Sequence, residues 1–109
     1  VPPAKCLSAA GGLLAEEGAA VARLIVGPMQ APLVRAEGFL AGLRQLADSR
    51  GALLVFDEMV TAFRLARGGA QEAYGVVPDL ATLGKTVSGG HPLAVLCGAA
   101  EIMDWRLQG

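Results

Sequence analysis

Two ionisable side chains, Asp57 and Lys85, occupy positions from which they could do chemistry together. Asp57 directly follows the uninterrupted apolar run Ala52–Phe56, which is typical of a strand covered on both faces. In parallel sheets, ligands bind at the carboxyl ends of the strands. Lys85 lies between Gly84 and the small residues at positions 86–90, so its backbone can approach a ligand closely. A carboxylate and an amine so placed could bind a cationic ring nitrogen and form a Schiff base with a carbonyl group.

An acid and a lysine in this arrangement are the pair that catalysis with pyridoxal 5′-phosphate (PLP) requires. A carboxylate beside the pyridine nitrogen favours its protonated form, which turns the ring into an electron sink. A charge-assisted hydrogen bond of this kind is worth roughly 1.5–3 kcal/mol. The lysine amine must be neutral to attack the aldehyde or to accept a proton.

Each of the two residues also has a simpler interpretation. An Asp at a strand end commonly caps the following turn, and a Lys after Gly is commonly a solvated loop residue. Residues 84–86 also match the end of a P-loop, whose lysine binds nucleotide phosphates. The first glycine of that motif would fall at position 79, which is Asp79. Because an acid would repel the phosphates, a P-loop nucleotide binder is the less favoured alternative.

The elements that must position these residues alternate between helix and strand. Residues Ala22–Val26 predict a buried strand that ends at a Gly-Pro turn. An apolar stripe in Ala36–Arg50 is typical of a helix, which Gly51 is expected to end. Strand, helix and strand at this spacing predict a parallel βαβ unit. The sequence further predicts a helix over Leu7–Gly18, a short segment Leu80–Leu83 before Lys85, an apolar run Leu93–Cys97 and a helix that starts in Ala99–Trp105.

The composition is typical of an ordered globular domain. Of the 109 residues, 53% are hydrophobic and 17% charged, and the net charge is −1, so neither disorder nor a basic face for nucleic acid is expected. Cys6 and Cys97 lie far apart without Cys or His at metal-binding spacing, so neither a zinc site nor a disulfide framework is expected, and a reducing cytoplasm is favoured over secretion. The apolar runs fall short of the roughly 20 residues that cross a bilayer. The chain begins without Met or a signal peptide, as expected of one that starts in mid-protein.

Three stretches resemble the signature of the class III aminotransferases, a PLP-dependent family. They are Phe56–Arg64, Gly68–Glu72 and Tyr74–Lys85. The likeness extends upstream through residues 37–44 and downstream to residues 100–104, in order and without large gaps. Within the family, the chain is most similar to the glutamate-1-semialdehyde aminomutases.

Carried over position by position, the resemblance implies that Lys85 bears PLP as a Schiff base and later moves the substrate proton. It implies that Asp57 contacts the pyridine nitrogen. Met59 takes the place of a small aliphatic residue that packs on one face of the ring, and it can do so because its side chain is flexible and polarizable. Val60 follows where Gln or Met is usual and cannot donate a hydrogen bond to the phenolic oxygen of the cofactor. The roles of Glu58, Thr61 and Arg64 stay open, and further departures from the family pattern are Gly27, Ala62, Ser88 and His91, the last interpreted as a solvent-facing loop residue.

The implied fold is α/β, the central part of the large PLP-binding domain of fold-type I enzymes, with a mostly parallel sheet flanked by helices. Residues 1–109 would be a partial large domain of a homodimeric transaminase or aminomutase that acts on an amino acid or amino-aldehyde. The upstream loop that grips the cofactor phosphate and the small C-terminal domain would lie outside it. The alternative is a non-catalytic truncated remnant or dimerisation fragment, which Gly27 and the exchanged order of Met59 and Val60 support. The isolated chain is expected to expose apolar surface, to aggregate and to be inactive.

Overall fold

The computed structural model describes residues 3–17, 21–29 and 38–104. Helices and strands alternate through these ranges, and the strands form one sheet in the order β1-β2-β3-β4. The elements are α1 (Pro3–Glu17), β1 (Arg23–Val26), α2 (Phe39–Arg50), β2 (Leu53–Asp57), α3 (Gly69–Tyr74), β3 (Leu80–Leu83), β4 (Val95–Gly98) and α4 (Ala100–Met103).

The parallel βαβ unit predicted from the sequence is confirmed by β1, α2 and β2. All four residues of β1 pair in parallel with Leu53–Phe56 of β2. Gly51 ends α2 with a φ of 64°, a left-handed conformation that favours a residue without Cβ. The predicted start of this helix at position 36 lies outside the described residues. Within them the helix begins at Phe39.

The apolar stripe of α2 packs on one face of the sheet. Leu54 and Phe56 of β2 enter the same core, and Phe56 is fully buried. Burying a side chain of this size stabilises the fold by roughly 1.5–3 kcal/mol. Asp57 points to the opposite face, because successive side chains of a strand alternate between faces. The buried core on the α2 side comprises Leu40, Leu43, Ala47, Leu54, Phe56, Val76 and Ala81.

Strands β3 and β4 extend the sheet beyond β2 and run in opposite directions to each other. β3 runs parallel to β2, whereas β4 returns antiparallel to β3, with Leu83 opposite Val95. The sequence indicated a short segment at Leu80–Leu83 and an apolar run at Leu93–Cys97, but not the direction of β4. Residues 84–94 contain no helix, and a parallel crossover needs roughly a dozen residues or more, usually with a helix. A strand that follows so short a link pairs antiparallel. The expected mostly parallel sheet is confirmed.

The predicted helices at the two ends of the chain differ from the structure at their boundaries. α1 begins before Leu7, and its paired glycines at 11 and 12 lie inside the helix; the predicted end at Gly18 falls outside the described residues. The predicted helix that starts in Ala99–Trp105 is present as α4, although Trp105 also lies outside them. The sequence did not predict α3, because its glycine-rich start is typical of a loop.

The face of the sheet opposite α2 is only partly covered. Ile25 is 66% exposed and Leu96 is 52% exposed, and the strand register places both on the same face as Asp57. The expected exposure of apolar surface is therefore confirmed within the described part of the chain. Aggregation and inactivity of the isolated chain stay predictions.

A salt bridge fastens α2 to the amino ends of β2 and β3. Arg44 Nη1 and the Leu54 backbone N–H both donate to Asp79 Oδ2, at 2.9 and 2.7 Å. The Asp79 N–H donates in turn to the Leu54 carbonyl at 2.8 Å. Burial raises the pKa of Asp79, but the hydrogen bonds from Leu54 and Arg44 outweigh it, so this pKa lies below its usual value. We call Arg44, Leu54 and Asp79 the amino-end latch.

The latch predicts an acid-sensitive contribution to stability. Because the folded-state pKa of Asp79 is lowered, its ionised form stabilises the fold above the unfolded-state pKa of about 3.9. That stability is lost as the pH falls through the lower folded-state value. Asp79→Asn removes the charge but keeps an acceptor for the Leu54 N–H. We expect it to lower the free energy of unfolding of the full-length protein by about 1–2 kcal/mol at pH 7 and by progressively less below pH 4.

Urea denaturation of both proteins between pH 7 and pH 3 measures this difference. Asp48→Asn is the matched control, since Asp48 also pairs with Arg44, at 2.6 Å, but its side chain is 63% exposed. We expect it to change stability little at any pH. A deficit of Asp79→Asn that stays constant with pH would contradict the role assigned to the ionised carboxylate.

Candidate functional site

The carboxyl ends of β2 and β3 bring together the two residues that the sequence singled out. Asp57 is the last residue of β2, and Thr82 is its partner in the parallel pairing with β3. The Thr82 hydroxyl donates to Asp57 Oδ1 at 3.3 Å, on the face opposite α2. Lys85 follows two residues after β3 ends at Leu83, so its loop leaves from the same edge of the sheet. The topology therefore places the carboxylate and the amine at one sheet edge.

The carboxylate of Asp57 combines a structural contact with a free oxygen. Its Oδ1 accepts the backbone N–H of Met59 at 3.2 Å, which is the turn-capping contact that a strand-end Asp commonly makes. Among the described residues, no donor contacts Oδ2, and the side chain is exposed. Capping and ligand binding are compatible here, because each uses a different oxygen.

Lys85 adopts a backbone conformation that is unusual for a residue with a side chain. Its φ is 47°, in the left-handed region that favours glycine, and its side chain is exposed. The Lys85 carbonyl accepts hydrogen bonds from the Ser88 hydroxyl at 2.7 Å and from the backbone N–H groups of Ser88 and Gly89 at 3.1 and 3.2 Å. These bonds close a turn that begins at the lysine, within the segment of small residues that the sequence indicated.

Met59 packs against the backbone next to Lys85. A Cβ at the buried Gly84 would meet the sulfur and terminal methyl group of Met59, so a larger residue there would displace the end of the methionine side chain. Val60, in contrast, points outward and is 44% exposed. The exchanged order of these two residues therefore still leaves a thioether beside the lysine loop.

Glu58, whose role the sequence left open, is a buried structural carboxylate. It is 1% exposed and accepts hydrogen bonds from the Thr61 hydroxyl at 2.8 Å, the Ala70 N–H at 2.6 Å and the Gln71 amide at 3.1 Å. Two of these donors belong to α3. The carboxylate thus ties the carboxyl end of β2 to the helix that the sequence did not predict, and these bonds offset the cost of burying it.

Arg64 also has a defined contact. Its Nε donates to the Thr86 hydroxyl at 2.8 Å. From the sequence, no role could be assigned to Arg64, and Thr86 was notable only as a small residue next to Lys85. Their separation of 22 positions carries no signal of periodicity that could have paired them. His91 is exposed in the same loop region, as expected.

The structure contradicts the P-loop alternative. Positions 79–84 would have to form a glycine-rich loop before a helix, but Leu80–Leu83 form β3 and the turns after Lys85 lead into β4. The carboxylate of Asp79 bonds Arg44 at the far end of the strand. Nothing in this geometry cradles phosphates with backbone N–H groups.

Two further expectations concern absent features. In the described ranges, no group of His, Cys, Asp and Glu could hold a metal ion, and Cys6 and Cys97 are free. No helix among the described residues is long and apolar enough to cross a bilayer.

Comparison with known proteins gives consistent matches. The family model of the class III aminotransferases matches residues 3–108. The glutamate-1-semialdehyde 2,1-aminomutase of Ignicoccus hospitalis is 59% identical over 69 residues, which is 63% of this chain and 16% of that protein. The enzyme of the same name from Syntrophobacter fumaroxidans is 48% identical over 94 residues, which is 84% of this chain and 22% of that protein.

Solved structures agree with the sequence matches. A β-phenylalanine aminotransferase from Variovorax paradoxus superposes with a TM-score of 0.81 at 37% identity, over 92% of this chain and 24% of that one. A glutamate-1-semialdehyde aminomutase from Pseudomonas aeruginosa in complex with PMP does so with a TM-score of 0.74 at 34% identity, over 88% and 21%. The chain spans at most about a quarter of these relatives. The resemblance and the α/β fold expected from the sequence are both confirmed, and the chain belongs to the class III aminotransferase family.

Proposed function

We propose that the full-length protein transfers amino groups with PLP, as a transaminase or an aminomutase. One observation carries the proposal: the parallel pairing of β2 and β3 places Asp57 and the loop of Lys85 at the same carboxyl edge of the sheet. The described chain would be the central part of the large cofactor-binding domain.

The side chains at this edge fit the cofactor. Asp57 offers an uncommitted, exposed carboxylate oxygen to a protonated ring nitrogen, and the Thr82 hydroxyl orients that carboxylate. Lys85 offers an exposed amine to the aldehyde. Met59 lies beside Gly84, where its thioether can pack on a ring. These three residues, Asp57, Met59 and Lys85, are the proposed cofactor-binding residues.

The chemistry of the bound cofactor would be the uptake of electron density from the bond broken at the substrate carbon. Lys85 Nζ would hold the cofactor between turnovers, and its amine, released by the substrate amine, would take a proton from that carbon and return one. Asp57 would keep the ring nitrogen protonated throughout. The buried α2 side of the sheet would exclude water beneath the site. Lys85 is thus the proposed catalytic residue.

Relatives narrow the substrate class. The relatives described above are named for glutamate-1-semialdehyde and for β-phenylalanine, and one is in complex with PMP. We therefore propose a small amino acid or amino-aldehyde as the substrate.

Family membership also supports a cytoplasmic homodimer. Light scattering of the full-length protein measures its mass, and the mass of a monomer would contradict the dimer.

Reductive trapping tests the function directly. The full-length protein is incubated with PLP, reduced with borohydride and mapped by peptide mass spectrometry. We expect a pyridoxyl group on Lys85 and none on Lys5, the other lysine of this chain, which is exposed on α1. Absence of the label from Lys85 would contradict the proposal. It would favour the alternative of a non-catalytic remnant, which is based on Gly27 and on the exchanged order of Met59 and Val60.

A further inference from the structure

A hydrogen bond between Arg64 and Thr86 joins the two loops on which the proposed chemistry depends. Arg64 follows β2 in the segment after Asp57, and Thr86 directly follows Lys85. The Arg64 Nε–H donates to Thr86 Oγ1 at 2.8 Å. The bond therefore reaches the lysine loop from outside that loop.

A residue with an unusual backbone conformation directly precedes each partner of this hydrogen bond. Lys85 has a φ of 47° and Phe63 a φ of 61°, and in the described ranges these are the only residues other than glycine with positive φ. A residue with a side chain stays in this region only where surrounding contacts over-determine its conformation.

The backbone of Arg64 is linked to the interior, whereas its side chain is exposed. Its backbone N–H donates to the Thr61 carbonyl at 3.1 Å, and the Thr61 hydroxyl donates to the buried Glu58 at 2.8 Å. On the other side of the lysine, the Ser88 hydroxyl donates to the Lys85 carbonyl at 2.7 Å. The backbone of Lys85 is thus held from two directions, through Thr86 and through Ser88.

We propose that Arg64 is a positioning residue for Lys85, which it holds in the left-handed conformation through the Thr86 hydroxyl. This inference rests on the proposed function of Lys85. Without the bond, the loop relaxes toward ordinary backbone angles and the amine moves away from its place at the sheet edge. Formation of the C=N bond between Lys85 Nζ and an aldehyde carbon, in which the aldehyde oxygen leaves as water, then becomes slower.

The rate of cofactor attachment tests the proposal. The apo form of the full-length protein is mixed with PLP, and attachment is followed by absorbance over a range of pH and by borohydride trapping on Lys85. Thr86→Val removes the acceptor and Arg64→Gln the donor, and we expect each to slow attachment about five- to tenfold. Thr86→Ser keeps the hydroxyl and should stay within about twofold of the wild type. Arg67→Gln removes a nearby exposed arginine and is the matched charge control.

The double variant Arg64→Gln/Thr86→Val should be no slower than either single variant, because both remove one bond. Wild-type rates in both single variants, with Lys85 still labelled, would overturn the positioning role and leave the proposed function intact. Equal slowing in Thr86→Ser or Arg67→Gln, or effects that multiply in the double variant, would also overturn it. A wild-type protein without a label on Lys85 would overturn the proposed function itself. If Thr86→Val fails to fold, Arg64→Gln still breaks the bond from the other side.

Discussion

Replacing Lys85 with Ala in the full-length protein is expected to lower amino-transfer turnover by at least about 10³-fold. The variant loses the amine that holds the cofactor and the base that moves the substrate proton. The fold should persist, because the lysine side chain is exposed and alanine meets the same left-handed backbone as lysine does. Steady-state kinetics with an amino donor, together with the absorbance of the bound cofactor, measure both losses.

Lys5→Ala provides the control for this experiment. Lys5 is exposed on α1, which packs against α2. It should retain wild-type turnover. Turnover of Lys85→Ala within about tenfold of the wild type would show that Lys85 is not the catalytic base, since general acid–base catalysis alone contributes at least about 10²-fold.

Asp57→Asn is expected to lower turnover by about 10²–10³-fold with little change in stability. Asparagine keeps an oxygen that can accept the Met59 N–H and the Thr82 hydroxyl, so the turn after β2 survives. It lacks the negative charge that would keep a ring nitrogen protonated. The absorbance of the cofactor as a function of pH, measured with the turnover number, separates this electrostatic loss from a loss of binding.

Thr82→Val is a milder change at the same carboxylate and is the comparison for Asp57→Asn. It removes one hydrogen bond to the carboxylate, 3.3 Å long, but leaves the charge in place. A loss of no more than about tenfold is expected, because a single hydrogen bond is worth about 1 kcal/mol. If Asp57→Asn were as active as Thr82→Val, the charge of Asp57 would have no role in turnover, and Asp57 would only cap the turn after β2.

The parts of the fold that the sequence predicted are those set by local pattern. The stripe of α2, the apolar run of β2 and the glycine at position 51 each act within a few residues, so the βαβ unit could be inferred. α3 could not, because Glu58 stabilises it from 12 positions before Ala70. The direction of β4 was open for a different reason, since an apolar run carries no information on which way a strand pairs.

The same distinction applies to the candidate site. Asp57 and Lys85 were found because each stands beside an element whose pattern is clear. The left-handed backbone of Lys85 and the bond from Arg64 to Thr86 were not, because both depend on contacts between distant segments. The resemblance to a family implies which residues have a role, and the contacts indicate how those residues are held.

The amino-end latch has a consequence for how this protein could evolve or be engineered. It holds β2 and β3 at the ends opposite Asp57 and Lys85, and Leu54 lies three residues before Asp57, about 10 Å away at roughly 3.3 Å per residue along the strand. Substitutions more than about 7–10 Å apart that share no partner usually have additive effects. Thermal stability could therefore be adjusted by substitutions at Arg44 and Asp79, while substitutions near Asp57 and Lys85 are selected for substrate preference. A library that combines substitutions at these two ends of the strands should contain few incompatible pairs.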